Sequence, residues 1–98
     1  MMWRDDWREK LSEYRQGIDE IDVKVLELVG KRMELSEKIG EIKSELGLPI
    51  CVPEREAEVL GDRRNAGRVC GLREEFVKVL FELVMLESKR IQSGLVNA

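Results

Sequence analysis

The chain has 98 residues, 43% of them hydrophobic and 38% charged, with two prolines, no histidine and a net charge of −3. That length holds one domain, residues 1–98, with a marginal core if it stands alone. The composition favours an all-α protein, and the charge supplies no basic field for nucleic acid.

Met1 to Lys10 carries Trp3 and Trp7 at helical spacing and reads as an N-terminal extension of the helix that follows. Leu11 to Leu46 is that helix. Its apolar positions are Leu11, Tyr14, Ile18, Ile21, Val25, Leu28, Leu35, Ile39, Ile42 and Leu46, spaced three and four apart like the seam of a long amphipathic helix. Arg32 interrupts the seam between Leu28 and Leu35. A cation in a buried seam costs several kcal/mol unless something anionic meets it, either a side chain or a ligand. Gly47 and Pro49 supply the stop. From Leu11 the helix runs about 54 Å, whereas a compact globule of this size has a radius of gyration of about 13 Å. The 52 residues that follow cannot cover it, and a second copy is the simplest cover.

Leu48 to Pro53 is a loop. Glu54 to Ala66 is predicted as a short helix, with Gly67 just past its end and a thin apolar face of Ala57, Val59 and Leu60 that suits a strap rather than a core element. Leu72 to Leu95 is predicted as a third helix. Its stripe is Val77, Phe81, Val84, Ser88, Ile91 and Leu95, widened by Phe76, Leu80 and Leu83. Ser88 is a second polar residue on an apolar stripe. Cys51 and Cys70, with no histidine, do not make a zinc site and read as buried or idle thiols. No apolar run reaches membrane-spanning length and no signal-peptide pattern opens the sequence, so a cytoplasmic protein is expected.

The polar interruptions can be placed by angle. Arg32 and Lys43 are eleven residues apart, within about 20° of one helix face. Ser88 and Gln92 form an i, i+4 pair on the third helix. Arg55 and Glu56 open the short helix, where backbone N–H groups add positive potential. Arg15 lies about 100° off the Arg32–Lys43 face. Singly, each has an ordinary reading: solvated cations, a serine bonded to its own backbone, a helix cap, a register-setting pair. Together, three cations with Ser88 and Gln92 describe a pocket for a small dianion.

These residues also carry a family resemblance. Arg15-x6-Asp22, Lys31-Arg32-x-Glu34-Leu35, Lys43, Pro49-Ile50, Pro53-Glu54-Arg55-Glu56 and Ser88-x3-Gln92 together resemble the all-helical chorismate mutase family, in register from Arg15 to Gln92. The resemblance implies an intertwined homodimer of three-helix protomers with two shared sites. It further implies conversion of chorismate to prephenate on the route to phenylalanine and tyrosine. Arg32, and Arg15 from the other protomer, would grip the substrate carboxylates, helped by Arg55 and Ser88. Lys43 and Gln92 would donate to the ether oxygen, and Glu56 would hold the ring hydroxyl. Val52 stands where the family often has an aspartate, so only a backbone N–H is offered there. Such a rearrangement uses no metal or cofactor. Two other readings remain: an isochorismate pyruvate-lyase on the same fold, and a helical dimerisation or regulatory module without activity.

Overall fold

The computed structural model describes residues 6–96 and contains three α-helices: α1 (Trp7–Leu46), α2 (Pro53–Val69) and α3 (Glu74–Val96). The fold is all-α. Trp3 and the other residues before Asp6 lie outside the described residues, as does the side chain of Leu95. The chain divides between residues 32 and 33 into two compact units, the second of which contains the end of α1 with α2 and α3.

Helix α1 stops where the sequence places its stop. Gly47 adopts φ 65°, and the N–H of Leu48 returns to the carbonyl of Lys43 at 2.9 Å. This is the closure that a residue in the left-handed region makes possible. Helix α2 begins at Pro53, whose missing N–H costs nothing in a first turn, with Glu54 and Glu56 complementing the N-terminal dipole.

The end of α2 differs from expectation. Gly67 lies inside the helix, and Gly71, at φ 79°, terminates it. Leu72 N–H donates to the Gly67 carbonyl at 2.9 Å and Gly71 N–H to the Arg68 carbonyl at 3.0 Å, the paired bonds of a Schellman motif. Because Leu72 closes α2, it does not open α3, which starts at Glu74. Gly67 has another task. A Cβ at this position would sit 2.5 Å from Cγ2 of Val77, which is itself only 2% exposed. The absent side chain lets α2 and α3 approach closely.

One further expectation changes. Val59 of α2 and Val77 of α3 are the buried hydrophobic residues among those described, so α2 supplies core and is more than a strap. The apolar seam of α1 is not covered by its own chain. In the first unit Leu11, Tyr14, Ile18, Ile21, Val25 and Leu28 are exposed, and in the second so are Leu35, Ile39, Ile42 and Leu46. The buried positions of α1 are instead Ser36 and Gly40, small residues that suit close helix contact. Phe76, Leu80 and Leu83, the widening of the α3 stripe, are also exposed.

Gly67→Ala is expected to lower stability by about 1–3 kcal/mol, because β-branched Val77 cannot swing aside in a packed site. Gly61→Ala, where a Cβ meets nothing within 4 Å, is expected to raise it by about 0.5–1 kcal/mol through helix propensity. Denaturant midpoints at constant slope measure both, and equal effects would remove the close-approach explanation.

Candidate active site

In the second unit α1 turns Met33, Ser36, Gly40 and Lys43 to one side, a three-four-three spacing that selects a single helix face. Ser88 and Gln92 answer from α3. Ser36, Ser88 and Gln92 are 5%, 7% and 6% exposed, and polar groups so buried must be paired. Ser36 Oγ donates to Ser88 Oγ at 2.9 Å, and the Ser88 hydroxyl reaches Met33 Sδ at 3.6 Å. Further along, Lys43 Nζ donates to Gln92 Oε1 at 2.9 Å and to the Ile50 carbonyl at 3.0 Å. The order Ser36–Ser88, then Lys43–Gln92, means that α1 and α3 run in the same direction here.

The Lys43–Gln92 contact sets the chemistry of the pair. An ammonium only donates, so the amide must offer its oxygen and keep its NH₂ for another acceptor. Lys43 retains a third proton beyond those on Gln92 and Ile50. The result is two donors of different charge, held side by side on two helices.

A second cluster starts at the first turn of α2. Glu56 Oε1 accepts from Lys89 Nζ of α3 at 2.6 Å, and Glu56 Oε2 accepts from Cys51 Sγ at 3.5 Å. The Lys89 hydrogen bond is the main reason that Glu56 titrates below the ordinary glutamate value. Partial desolvation opposes it, while the charges of Lys89 and Lys43 and the Cys51 thiol assist. The same hydrogen bond raises Lys89. Ile50 and Cys51 are neighbours in sequence, so one short loop touches Lys43 on one side and Glu56 on the other. Beside Glu56, a cavity of about 430 Å³ between α2 and α3 is lined by Leu60, Val79, Met85, Leu86 and Lys89 among others.

The remaining sequence-derived candidates sit differently. Arg55 is exposed and donates to Glu58 one turn on, facing solvent rather than the Lys43–Gln92 row. Val52 is half-buried and precedes α2 as its N-cap without a side-chain cap bond. Arg15, exposed, and Arg32, half-buried, belong to the first unit. Cys51 is exposed and hydrogen-bonded and Cys70 is exposed, so neither is a buried thiol.

Sequence reasoning passed over four participants: Ser36, Ile50, Cys51 and Lys89. Ser36 was detectable as a small residue seven positions before Lys43, on nearly the same face. Lys89 had a weaker signal, a cation next to Ser88, and its pairing depends on how α2 folds back. Among the described residues no group of three or more histidine, cysteine, aspartate or glutamate side chains is placed to hold a metal ion.

A family model described as chorismate mutase type II matches residues 14–93. Over 79 residues the chain is 42% identical to the T-protein of Enterobacter agglomerans, an alignment covering 81% of this chain and 21% of that protein. It is 37% identical over 84 residues to a chorismate mutase of Methanocaldococcus jannaschii, covering 86% of this chain and 85% of that one. An isochorismate pyruvate lyase of Pseudomonas aeruginosa is 33% identical over 76 residues, with 76% of this chain and 73% of the lyase covered. The chain thus spans about a fifth of the T-protein and most of the single-function relatives.

The Glu56–Lys89 pair predicts a pH window for stability. The lowered glutamate contributes stability above its unfolded pKa, near 4.5, and loses it as pH falls through the folded value. The raised lysine contributes below its unfolded value, near 10.5, and loses it as pH rises through the folded one. With both side chains about a third exposed, the plateau is worth no more than about 1 kcal/mol. Glu56→Gln should flatten the acid edge of a melting-temperature profile, and an unchanged edge counts against the pair.

Proposed function

Because this chain belongs to the chorismate mutase type II family, we propose that it converts chorismate to prephenate in aromatic amino acid biosynthesis. The observation that carries this reading is Lys43 Nζ at 2.9 Å from Gln92 Oε1 and 3.0 Å from the Ile50 carbonyl. The reaction is a unimolecular Claisen-type rearrangement. The ether C–O bond breaks as a C–C bond forms across the same six-atom ring, and no proton, nucleophile or metal enters the balance. Negative charge gathers on the ether oxygen as its bond lengthens. Lys43 and the Gln92 amide donate to that oxygen from a preorganised, partly buried frame, which favours the transition state over the ground state.

The other roles follow the chemistry of each group. Arg32 and Arg15 match carboxylates with planar guanidinium forks, and Ser88 adds a hydroxyl. Arg55 joins the grip once it leaves Glu58. Glu56, ionised at neutral pH, accepts from the ring hydroxyl, with Val52 contributing backbone alone. Holding both carboxylates forces the extended substrate into the compact near-attack conformer.

We infer a cytoplasmic homodimer with sites shared between chains. Support comes from the exposed seam from Leu11 to Leu46 and from a core limited to Val59 and Val77 among the described residues, a surface that another chain must cover. Both cysteines are free, as in a reducing compartment. No helix among the described residues is long and apolar enough to cross a membrane.

The direct test is consumption of chorismate by the purified chain, with isochorismate assayed beside it. Turnover of isochorismate alone would make the chain a pyruvate-lyase, and turnover of neither would leave a binding module. Between about pH 6 and 9 wild-type turnover should vary little, since the donor Gln92 does not titrate and the chain has no histidine. Gln92→Glu should make the enzyme acid-dependent, because only a protonated carboxyl donates, and at neutral pH it should lose about 3 kcal/mol of barrier lowering. A bell-shaped wild-type profile centred near neutrality contradicts the assignment.

The shared site has its own test. Arg15→Ala and Arg32→Ala chains are each expected to be nearly inactive. Refolded together, they form mixed dimers in which one site has both arginines and its twin has neither. With random pairing about a quarter of all sites recover under two-fold symmetry. A mixture no more active than its parents, with mixed dimers verified by mass, excludes sharing.

A further inference from the structure

We propose that Lys89 is a positioning residue that holds Glu56 in its working orientation, an inference that rests on the mutase reading above. Glu56 lies in the first turn of α2 and carries a flexible side chain, 28% exposed. No side chain caps the start of α2, because Val52 occupies the cap position. Nothing within α2 itself therefore fixes the carboxylate, and the two contacts that do come from elsewhere. Lys89 reaches Oε1 at 2.6 Å from α3, and Cys51 reaches Oε2 at 3.5 Å from the preceding loop.

The two contacts are unequal. A thiol is a weak donor at long distance, whereas an ammonium at 2.6 Å is a charge-assisted bond. Lys89 is also well founded. It follows buried Ser88 and precedes buried Gln92 by three residues, so its backbone belongs to the same stretch of α3 that carries the ether-oxygen donor. Through Lys89, a group on α2 is referenced to the frame of α3. The charges around Glu56 are Lys89 from α3 and Lys43 from α1. Glu82 of α3 lines the adjoining cavity, and Arg55, next in sequence, is turned to Glu58. The carboxylate that the mutase reading offers to the ring hydroxyl is thus clamped by a lysine. Because Val52 supplies no second one, loss of that orientation has no local substitute.

Lys89→Met, Lys89→Arg, Glu56→Gln and the Lys89→Met/Glu56→Gln double variant test this, with full chorismate kinetics from about pH 5 to pH 8 and thermal melts on each. Lys89→Met should raise KM several-fold across the range through lost orientation of the carboxylate, and further toward the acid end, where Glu56 loses the partner that favours its charged form, with little change in kcat. Lys89→Arg should restore most of the loss, since a guanidinium also donates to a carboxylate. In the Glu56→Gln background, Lys89→Met should have no further effect. A Lys89→Met chain that folds and keeps wild-type KM throughout overturns the proposal. So does an equal loss with and without Glu56, since Lys89 would then act independently. Wild-type chain inert toward chorismate at every pH overturns the mutase reading and this inference with it. Wild-type turnover with an unaffected Lys89→Met overturns the inference alone.

Discussion

Lys43 is the residue on which the second unit depends. Its ammonium joins the end of α1 to the Ile50 carbonyl in the following loop and to Gln92 on α3. Three segments far apart in sequence are brought to one nitrogen. Had that nitrogen met a carboxylate instead, the cluster would be a neutral ion pair with its donors consumed. Its protein acceptors are a carbonyl and an amide, both uncharged, so the positive charge stays available to a substrate. Glu56, whose titration registers Lys43, is neutralised mainly by Lys89. The two lysines thus divide the work: Lys89 balances the anion, and Lys43 remains the electropositive point.

The polar row has a packing counterpart. Where α1 meets α3 the contact is Ser36 with Ser88, with Gly40 buried one turn on, and where α2 meets α3 it is Gly67 with Val77. Small residues at both contacts bring the helices close enough for side chains as short as serine to touch. Most of the large apolar residues of α1, with Phe76, Leu80, Leu83 and Leu86 of α3, are exposed. In the proposed homodimer the hydrophobic stabilisation those side chains can give is gained on association, which would make folding and assembly one problem.

Much of this was legible in the sequence because the signals were periodic or local. The three-four pattern from Leu11 to Leu46, the Gly47–Pro49 stop and Pro53 at the start of α2 each depend on a few neighbouring residues. Ser88 and Gln92 stood out as polar residues four apart on an apolar stripe, and both are buried. The errors share a different cause. Gly67 looked like a helix end, but a glycine that permits close approach and one that permits a left-handed turn have the same letter. Only the position of Val77 in space separates Gly67 from Gly71. Ser36 and Lys89 take their roles from partners in other segments, Ser88 for one and Glu56 for the other. The angle of Arg32 to Lys43 was a statement about one helix, whereas the grouping of Arg15 with either of them belongs to the proposed homodimer.

The turn after α1 bears differently on how this sequence can vary. Lys43 is anchored there twice. Its backbone carbonyl accepts the Leu48 N–H across Gly47, and its side chain reaches forward to the Ile50 carbonyl. Exposed connections between helices ordinarily accommodate insertions and deletions with little consequence. Here one added or missing residue between Gly47 and Val52 would move Ile50 and Cys51 out of phase with the helix behind them. Lys43 would lose one acceptor and Glu56 one donor, although neither helix had changed. The connection is therefore a spacer of fixed count, and its length is as much a part of the site as the side chains it separates.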